Sequence, residues 1–320
     1  SSADSKTNAK IDGKKPADVR RSVSPAPAGM PGRTNMIDQI LNAFSCLPFD
    51  SLQLRFMQQA LLALLFLTPM TAMLGVEIVN FRMAFYSDAI GHSAFAGAGL
   101  GLILSIEPHL AMPVFGVLVG LSIVALKRRT SISSDVAIGV VFSAVVAFGL
   151  AVVSRSPGVA RDMQQFLFGD ILTISAQEIY FLMGLFPVML VFQIVGYNAL
   201  YLIALNPVMA RAQGVRVAFW QYLFSAMLAV IVIFSVWAVG VLLVTALLIV
   251  PAAAARNLAG SARAMFWWSI LISVLSAVIG LLLSAQPWLG TSSGATIILT
   301  ACVFFALTTL PGVCRRERRG

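Results

Sequence analysis

A series of long apolar segments, separated by short connections, runs from residue 57 to residue 311. Each segment has about the 20 apolar residues that an α-helix needs to cross the hydrocarbon layer of a membrane. The chain is 59% hydrophobic and only 11% charged, whereas soluble domains carry about 25% charged residues. These features exclude a soluble globular enzyme. They predict an all-α, polytopic helical membrane protein with eight to nine transmembrane helices.

The apolar pattern also predicts where the crossings lie. We place them near 57–79, 83–105, 111–126, 135–154, 179–203, 218–236, 238–254, 265–284 and 294–311. The division around Trp237 is the hardest, because Val239 and Gly240 leave hardly any connection. A broken or re-entrant segment over 234–254 is the alternative, and it would give eight full spans.

The two ends of the chain differ from this transmembrane domain, which we assign to 57–311. Residues 1–34 have almost no large apolar side chain and are predicted to be a disordered basic tail. A cloning remnant or a start codon assigned too early is the alternative interpretation. The last residues, 312–320, are predicted to form a basic cytoplasmic tail.

Residues 35–56, just before the first crossing, have apolar side chains at helical spacing. These side chains are Ile37, Ile40, Leu41 and Phe44. The pattern is typical of an amphipathic segment on the membrane surface, and a helix packed inside the protein is the alternative.

Basic residues are distributed unequally between the two sides of the predicted helices. One set of alternate connections and the C-terminal end contain Arg82, Lys127, Arg128, Arg129, Arg211, Arg216, Arg256, Arg263, Arg315, Arg316, Arg318 and Arg319. The opposite connections contain Arg155 and Arg161. By the positive-inside rule, the first set and the C-terminus are predicted to be cytoplasmic. Because the charges mark topology, the net charge of +9 predicts no nucleic-acid partner.

Asp88 and His92, in YSDAIGHSAFAGAGLG, are the most informative polar residues inside the predicted spans. At i and i+4 they share one helix face. Counted from Arg82 at about 1.5 Å per residue, His92 lies near the middle of the hydrocarbon layer, where a charge is costly. A carboxylate and an imidazole suit Zn(II), Mn(II) or Fe(II). A structural Asp–His hydrogen bond and a proton relay are the alternatives.

Three other polar residues have simpler interpretations. His109 follows Glu107 and Pro108 in a short connection and is predicted to be a solvated loop histidine. Glu77 lies near the cytoplasmic end of the first span, where it can reach the membrane surface or pair with Arg82. Asp135 is predicted to cap the start of a helix.

Four sequence blocks, taken together, resemble one family of membrane proteins. The blocks are MAFYSDAIGHSAFAGAGLGLIL, LKRRTSISSDVAIGVVFSAVVAFGLAVVS, QQFLFGDILTIS and VGVLLVTALLIVPAAAAR. Their order and spacing resemble those of the permease subunits of bacterial zinc/manganese/iron ABC importers. The resemblance covers roughly residues 50–311. It implies a type II ABC importer-like permease of the bacterial plasma membrane.

The resemblance also implies roles for particular residues. The family's aspartate and histidine in the second span contact the transported metal, and they match Asp88 and His92 here. Zinc-handling members often carry a histidine at about the position of Phe142, so its absence puts zinc selectivity in doubt. The implied cargo is a divalent metal ion (Zn, Mn or Fe), with no permanently bound cofactor.

The energy source is predicted to lie on another chain. The sequence contains no GxxxxGK[ST] phosphate-binding loop, so this chain is predicted not to be an enzyme and to act with a separate ATP-hydrolysing subunit. The stretch 204–220 resembles the coupling helix that such permeases insert into their ATPase. Its candidate coupling residues are Asn206, Pro207, Ala210 and Gly214. An ordinary cytoplasmic turn is the alternative.

The connection 155–178 is the longest in the transmembrane domain and is predicted to face outwards. Its Asp162 and Asp170 are candidates for docking an extracytoplasmic metal-binding protein, although Asp170 can instead cap a helix. The remaining predicted partners are a second permease subunit, in a homo- or heterodimer, and the lipid bilayer.

Two other transport functions compete with this hypothesis. A proton-coupled secondary metal carrier would also place Asp and His in the membrane, but it would need no coupling segment. An ABC permease for a metal chelate or vitamin would share the architecture without the Asp88 and His92 pair. An intramembrane metalloprotease is excluded, because the sequence lacks HExxH and holds only two histidines.

Overall fold

The computed structural model describes residues 53–154, 171–286 and 290–317. The predicted basic tail and residues 35–52 of the predicted surface segment lie outside the described residues. The described helices are α1 (Arg55–Phe81), α2 (Tyr86–Ile103), α3 (Pro108–Arg129), α4 (Ser134–Val153), α5 (Ala176–Leu205), α6 (Pro207–Ala212), α7 (Val217–Val239), α8 (Val241–Leu258), α9 (Ala262–Ser284) and α10 (Ser293–Glu317). A 3-10 turn, Ile171–Thr173, precedes α5.

The prediction of an all-α membrane protein is confirmed. Within the described ranges, eight helices are long and apolar enough to cross a membrane, namely α1, α3, α4, α5, α7, α8, α9 and α10. α2 is 18 residues long and packs between α3, α4 and α7. The described part of the chain is therefore a multi-pass bundle of nine long helices and one short helix.

The chain divides at Gly240 into two separate helices, α7 and α8. The Gly240 N–H donates to the Val236 carbonyl oxygen at 2.8 Å and closes α7. Gly240 has φ of 87°, a conformation that glycine adopts without the steric cost of a Cβ atom. Both helices are candidate spans, so the two crossings predicted at 218–236 and 238–254 are confirmed.

Some helix ends differ from the predicted boundaries. α10 continues to Glu317, beyond the predicted end at 311, because Arg and Glu sustain a helix after the apolar run has finished. The predicted C-terminal tail is therefore helical through Glu317. α5 begins earlier than predicted, at Ala176, because Ser175 and Glu178 form a capping box.

α1 forms the centre of the bundle and packs against α5, α8 and α9. The closest approach is at Gly75, where an added Cβ atom would collide with the carbonyl oxygen of Leu248. Small residues allow such close backbone contact in membrane bundles. Pro69 lies inside α1, and Thr68 donates its hydroxyl to the Leu64 carbonyl oxygen at 2.7 Å. α1 therefore joins α5, α8 and α9, while α2 packs mainly against α3 and α4.

Candidate functional site

α2 is anchored at its start and nearly enclosed by other helices. Arg82, exposed and with φ of 54°, ends α1 and turns the chain towards α2. The hydroxyl groups of Tyr86 and Ser225 share a buried hydrogen bond between α2 and α7. From Tyr86 to Gly97 every residue is buried except Asp88 and His92, which are partly exposed. The two predicted metal ligands therefore form the one open face of this stretch of helix.

The His92 ring is oriented by the backbone of its own helix. Its Nδ1 atom lies 2.9 Å from the Asp88 carbonyl oxygen. Because a carbonyl oxygen only accepts, Nδ1 is the donor in this contact, and in the neutral imidazole the lone pair is then on Nε2. Metal-binding histidines usually donate their second ring N–H in this way. This contact fixes the ring orientation and leaves Nε2 as the nitrogen that can face a metal.

Two other helices border the pair. The Phe142 ring of α4 meets the His92 ring edge to face, with centroids 5.2 Å apart. The Phe95 ring lies 6.0 Å from the same imidazole. Thr245 of α8 lies near the Asp88 side chain, and its hydroxyl group donates to the Leu242 carbonyl oxygen at 3.2 Å. Sequence analysis missed Thr245, although it belongs to the quoted block VGVLLVTALLIVPAAAAR.

One chain supplies few metal ligands at this position. Within the described ranges, no group of three or more His, Cys, Asp and Glu residues is arranged to hold a metal ion. The second histidine, His109, lies in the first turn of α3 with its ring 4.0 Å from that of Trp237. The prediction of a loop position for His109 was therefore wrong, because Pro108 starts the helix one residue earlier.

The predicted coupling segment folds as a short helix, α6, between α5 and α7. Asn206 caps it, because its Oδ1 accepts from the N–H groups of Val208 at 2.9 Å and Met209 at 3.2 Å. Pro207 occupies the first helical position, which favours proline. α6 has six residues and is about 9 Å long.

The end of α6 is a Schellman motif. The N–H groups of Gly214 and Val215 donate to the carbonyl oxygens of Arg211 and Ala210, both at 3.0 Å. Gly214 has φ of 80°, which the motif requires. Ala210 is fully buried in a cluster with Ile203 and Val217. The four predicted coupling residues therefore shape α6 and attach it to the bundle.

The outer surface of α6 has different residues, which sequence analysis missed. Val208 is 70% exposed and Met209 is 54% exposed. The signal available in the sequence was that these two apolar residues directly follow Asn206 and Pro207, at the start of a short helix. That position indicates an apolar contact surface. These side chains, rather than Ala210, are available for contact with another protein.

The location and the partner of Glu77 differ from those predicted from the sequence. It neither reaches the surface nor pairs with Arg82, but is 1% exposed inside the bundle. Its Oε1 accepts from Nε2 of Gln193, in α5, at 3.4 Å. Among the described residues, Glu77 Oε2 and Gln193 Oε1 have no hydrogen-bond partner. Glu77 faces Gln193 of α5, so its side chain is enclosed between helices although it lies only about one turn from the end of α1.

The remaining predictions concern the helix cap at Asp135 and the two docking residues. Asp135 lies in the first turn of α4, but the cap is Ser133, whose Oγ accepts from the Val136 N–H at 3.3 Å. The predicted docking residues Asp162 and Asp170 lie outside the described residues.

Comparisons with known proteins agree with this arrangement. Residues 53–311 match the ABC 3 transport family. The chain is 31% identical over 259 residues to the high-affinity zinc uptake system membrane protein ZnuB of Haemophilus influenzae, covering 81% of this chain and 97% of that protein. It is 32% identical over 259 residues to the manganese import system permease protein ScaB of Streptococcus parasanguinis, covering 80% of this chain and 90% of that protein.

The fold has a counterpart among solved structures. The structure of PsaBC from Streptococcus pneumoniae in complex with Fab superposes with a TM-score of 0.68 and 27% sequence identity. The match covers 85% of this chain and 95% of that chain. Sequence and fold agree over nearly the whole helical bundle, and the chain belongs to the ABC 3 transport family.

Proposed function

We propose that this chain is the permease subunit of an ATP-driven importer for a divalent transition metal ion (Zn, Mn or Fe). The observation that carries the proposal is the exposure pattern of α2, where Asp88 and His92 are the only partly exposed residues between Tyr86 and Gly97. The names of the relatives, which include a zinc uptake protein and a manganese import permease, support a metal cargo.

Asp88 and His92 are the proposed transient ligands of the cargo. Asp88 offers carboxylate oxygens, and His92 offers Nε2, since its Nδ1 is held by the Asp88 carbonyl oxygen. Two ligands hold a metal weakly, which suits a site that must release it, and Zn(II) takes four in a closed structural site. A second permease subunit facing the first would complete the coordination by symmetry.

The coupling to ATP hydrolysis is proposed to pass through α6. Val208 and Met209 would contact a separate cytoplasmic ATPase subunit, while the buried Ala210 transmits the movement to α5 and α7. This assignment places the basic connections and the C-terminus in the cytoplasm, as the positive-inside rule predicts. On the opposite side, Asp162 and Asp170 stay candidates for docking an extracytoplasmic metal-binding protein.

Metal uptake by reconstituted importer tests the cargo site. Asp88→Ala and His92→Ala should each abolish ATP-dependent uptake of zinc or manganese into proteoliposomes while leaving insertion and ATPase assembly intact. Ser87→Ala is the matched control, because Ser87 lies beside Asp88 but is fully buried. Normal uptake by the correctly inserted double variant would contradict the proposal. Uptake driven by a proton gradient without ATPase would favour the secondary carrier.

Co-purification of the ATPase tests the coupling site separately. Val208→Asp combined with Met209→Asp should remove the ATPase, because two charges replace an exposed apolar contact. Ile106→Asp is the control, since Ile106 is 46% exposed in the connection between α2 and α3. If both proteins retain the ATPase equally, α6 is not the coupling contact.

A further inference from the structure

A cavity of about 260 Å³ lies between α1, α3, α6 and α7, away from the open face of α2. Its lining residues are Phe81, Met83, Val124, Lys127, Arg128, Pro207, Arg211, Gln221, Phe224 and Ser225. Three of these are cations, and none is acidic. Neither Asp88 nor His92 takes part, so the cavity is separate from the proposed cargo site.

The position of the cavity coincides with the ends of several membrane helices. α1 ends at Phe81, α3 ends at Arg129 and α7 begins at Val217. Each contributes lining residues from within about two turns of that end. Apolar spans end where the hydrocarbon layer meets the lipid headgroups. The cavity therefore lies at headgroup depth, whichever side of the membrane it faces.

The polarity of the lining changes with depth. On α3, Val124 lies about one turn deeper in the membrane than Lys127 and Arg128. On α7, Phe224 lies about one turn deeper than Gln221. On these two helices the basic and amide groups lie nearer the helix ends than Val124 and Phe224, although Phe81 and Pro207 add apolar surface near the ends and Ser225 adds a deeper hydroxyl group. This gradient matches a molecule with an anionic head and an apolar body.

The basic groups at the mouth are arranged for an anion. Arg128 Nη1 donates to Gln221 Oε1 at 3.3 Å, and the guanidinium group lies 5.8 Å from the centre of the Tyr222 ring. These contacts orient the guanidinium group, whose remaining N–H donors suit phosphate oxygens. Asp135 is the acidic group whose charge acts on Lys127, and it does not line the cavity.

We propose that this cavity binds the headgroup phosphate of an anionic phospholipid. Lys127, Arg128 and Arg211 hold the phosphate, and Val124 and Phe224 contact the glycerol and the first acyl carbons. Basic pockets between membrane helices recognise anionic headgroups in this manner. Because Arg211 belongs to α6, the bound lipid joins the end of α3 to the segment that we propose contacts the ATPase. Only this last consequence rests on the proposed function.

Lipid retention by the purified full-length chain tests the proposal without requiring transport. Native mass spectrometry compares phosphatidylglycerol with phosphatidylcholine of the same acyl chains. The parent should retain phosphatidylglycerol preferentially, and Lys127→Ala combined with Arg128→Ala should lower its affinity about 10- to 30-fold. Arg129→Ala is the matched control, since Arg129 is exposed in the same turn but does not line the cavity.

A second variant separates cavity binding from general charge attraction. Val124→Trp fills the inner cavity and keeps every cation, so it should also lower phosphatidylglycerol retention. Equal retention by the parent, the double variant and Val124→Trp would overturn the proposal. So would equal weakening by Arg129→Ala, which would indicate a diffuse surface effect.

Two further outcomes would assign the cavity to another ligand. Full displacement of phosphatidylglycerol by millimolar-range inorganic phosphate would indicate a free-phosphate site and overturn the lipid assignment. Unchanged lipid retention with loss of the ATPase in the double variant would indicate that a carboxylate of the ATPase occupies the cavity, which would also overturn it. Failure of metal uptake has no bearing on lipid retention, so the two proposals can fail separately.

Discussion

Two polar pairs within the helical bundle have similar chemistry but different surroundings. Asp88 and His92 lie on one helix and are partly exposed. Glu77 and Gln193 come from α1 and α5, and their exposed fractions are 1% and 4%. Each pair combines a carboxyl group with a nitrogen-bearing side chain. The first pair is thus partly open at the surface of this chain, whereas the second is enclosed by protein.

The contrast in exposure between these two pairs shows that a polar residue inside a membrane helix does not by itself mark the path of the cargo. Buried polar groups satisfy one another where they can, and the bond of Glu77 to Gln193 joins two helices across 116 positions of sequence. The His92 to Asp88 bond uses only the backbone oxygen of Asp88, which leaves the carboxyl group for another partner. We therefore expect the Glu77 pair to affect stability and the Asp88 pair to affect transport.

The largest expected effect is on stability. Glu77→Ala removes the partner of Gln193 and leaves a void, so we expect a loss of about 2–4 kcal/mol in the free energy of unfolding. Asp88→Ala, at a partly exposed position, should cost less than about 1 kcal/mol. Chemical unfolding of the purified chain in detergent measures both values. Equal losses of unfolding free energy in the two variants would contradict the distinction between a structural Glu77 pair and an open Asp88 pair.

A third ligand beside Asp88 and His92 should increase the affinity of this site for zinc. In Phe142→His, an imidazole replaces the ring that lies 5.2 Å from His92, so zinc affinity should increase about 10-fold, or about 1.4 kcal/mol. Isothermal titration with zinc measures the change. Phe148→His is the matched control, because Phe148 belongs to α4 but stacks on Phe115. The same gain in both variants would mean that the position relative to His92 is irrelevant.

Thr245, the neighbour of Asp88 on α8, should have a smaller influence on metal affinity. Thr245→Val removes a hydroxyl group beside the carboxyl group and keeps the side-chain shape, so metal affinity should change about 5-fold, or about 1 kcal/mol. The same zinc titration tests this. Thr300→Val serves as the control, since Thr300 bonds only the Thr296 carbonyl oxygen at 2.8 Å. An unchanged affinity in Thr245→Val would show that α8 does not orient Asp88.

The smallest effect is expected for Glu77→Gln. The two amides can still pair across α1 and α5, so the free energy of unfolding should change by less than about 1 kcal/mol. Metal uptake should equal that of the parent. Loss of uptake in this stable variant would place Glu77 on the transport path and would end the proposed separation between the two pairs.

Much of this architecture was predictable from local patterns. The apolar segments correspond to the observed helices, and the shared face of Asp88 and His92 follows from their spacing of four. The resemblance of 204–220 to a coupling helix, with Gly214 at the end of a helix-compatible stretch, similarly predicted a short helix between two spans. These features depend on neighbouring residues, and helical geometry converts their spacing directly into positions in space.

The predictions that failed depended on partners distant in sequence. Glu77 was expected to interact with the nearby Arg82, but α5 brings Gln193 to it instead. His109 was expected in a loop, but it lies in the first turn of α3, where α7 brings Trp237 against its ring while the histidine stays exposed. A sequence pattern shows that a polar group needs a partner, but it does not show which helix will pass beside it.

The sequence alone therefore determined the class of protein, a range of eight to nine long helices, the absence of a phosphate-binding loop from the sequence and the pair on α2. Tertiary structure alone decided which polar pair is open, which helices border His92, and how the cations of α3 and α6 meet around one cavity. The physical reason is that helix formation and membrane insertion depend on local composition. The contacts between helices depend instead on close packing among segments that lie far apart in the chain.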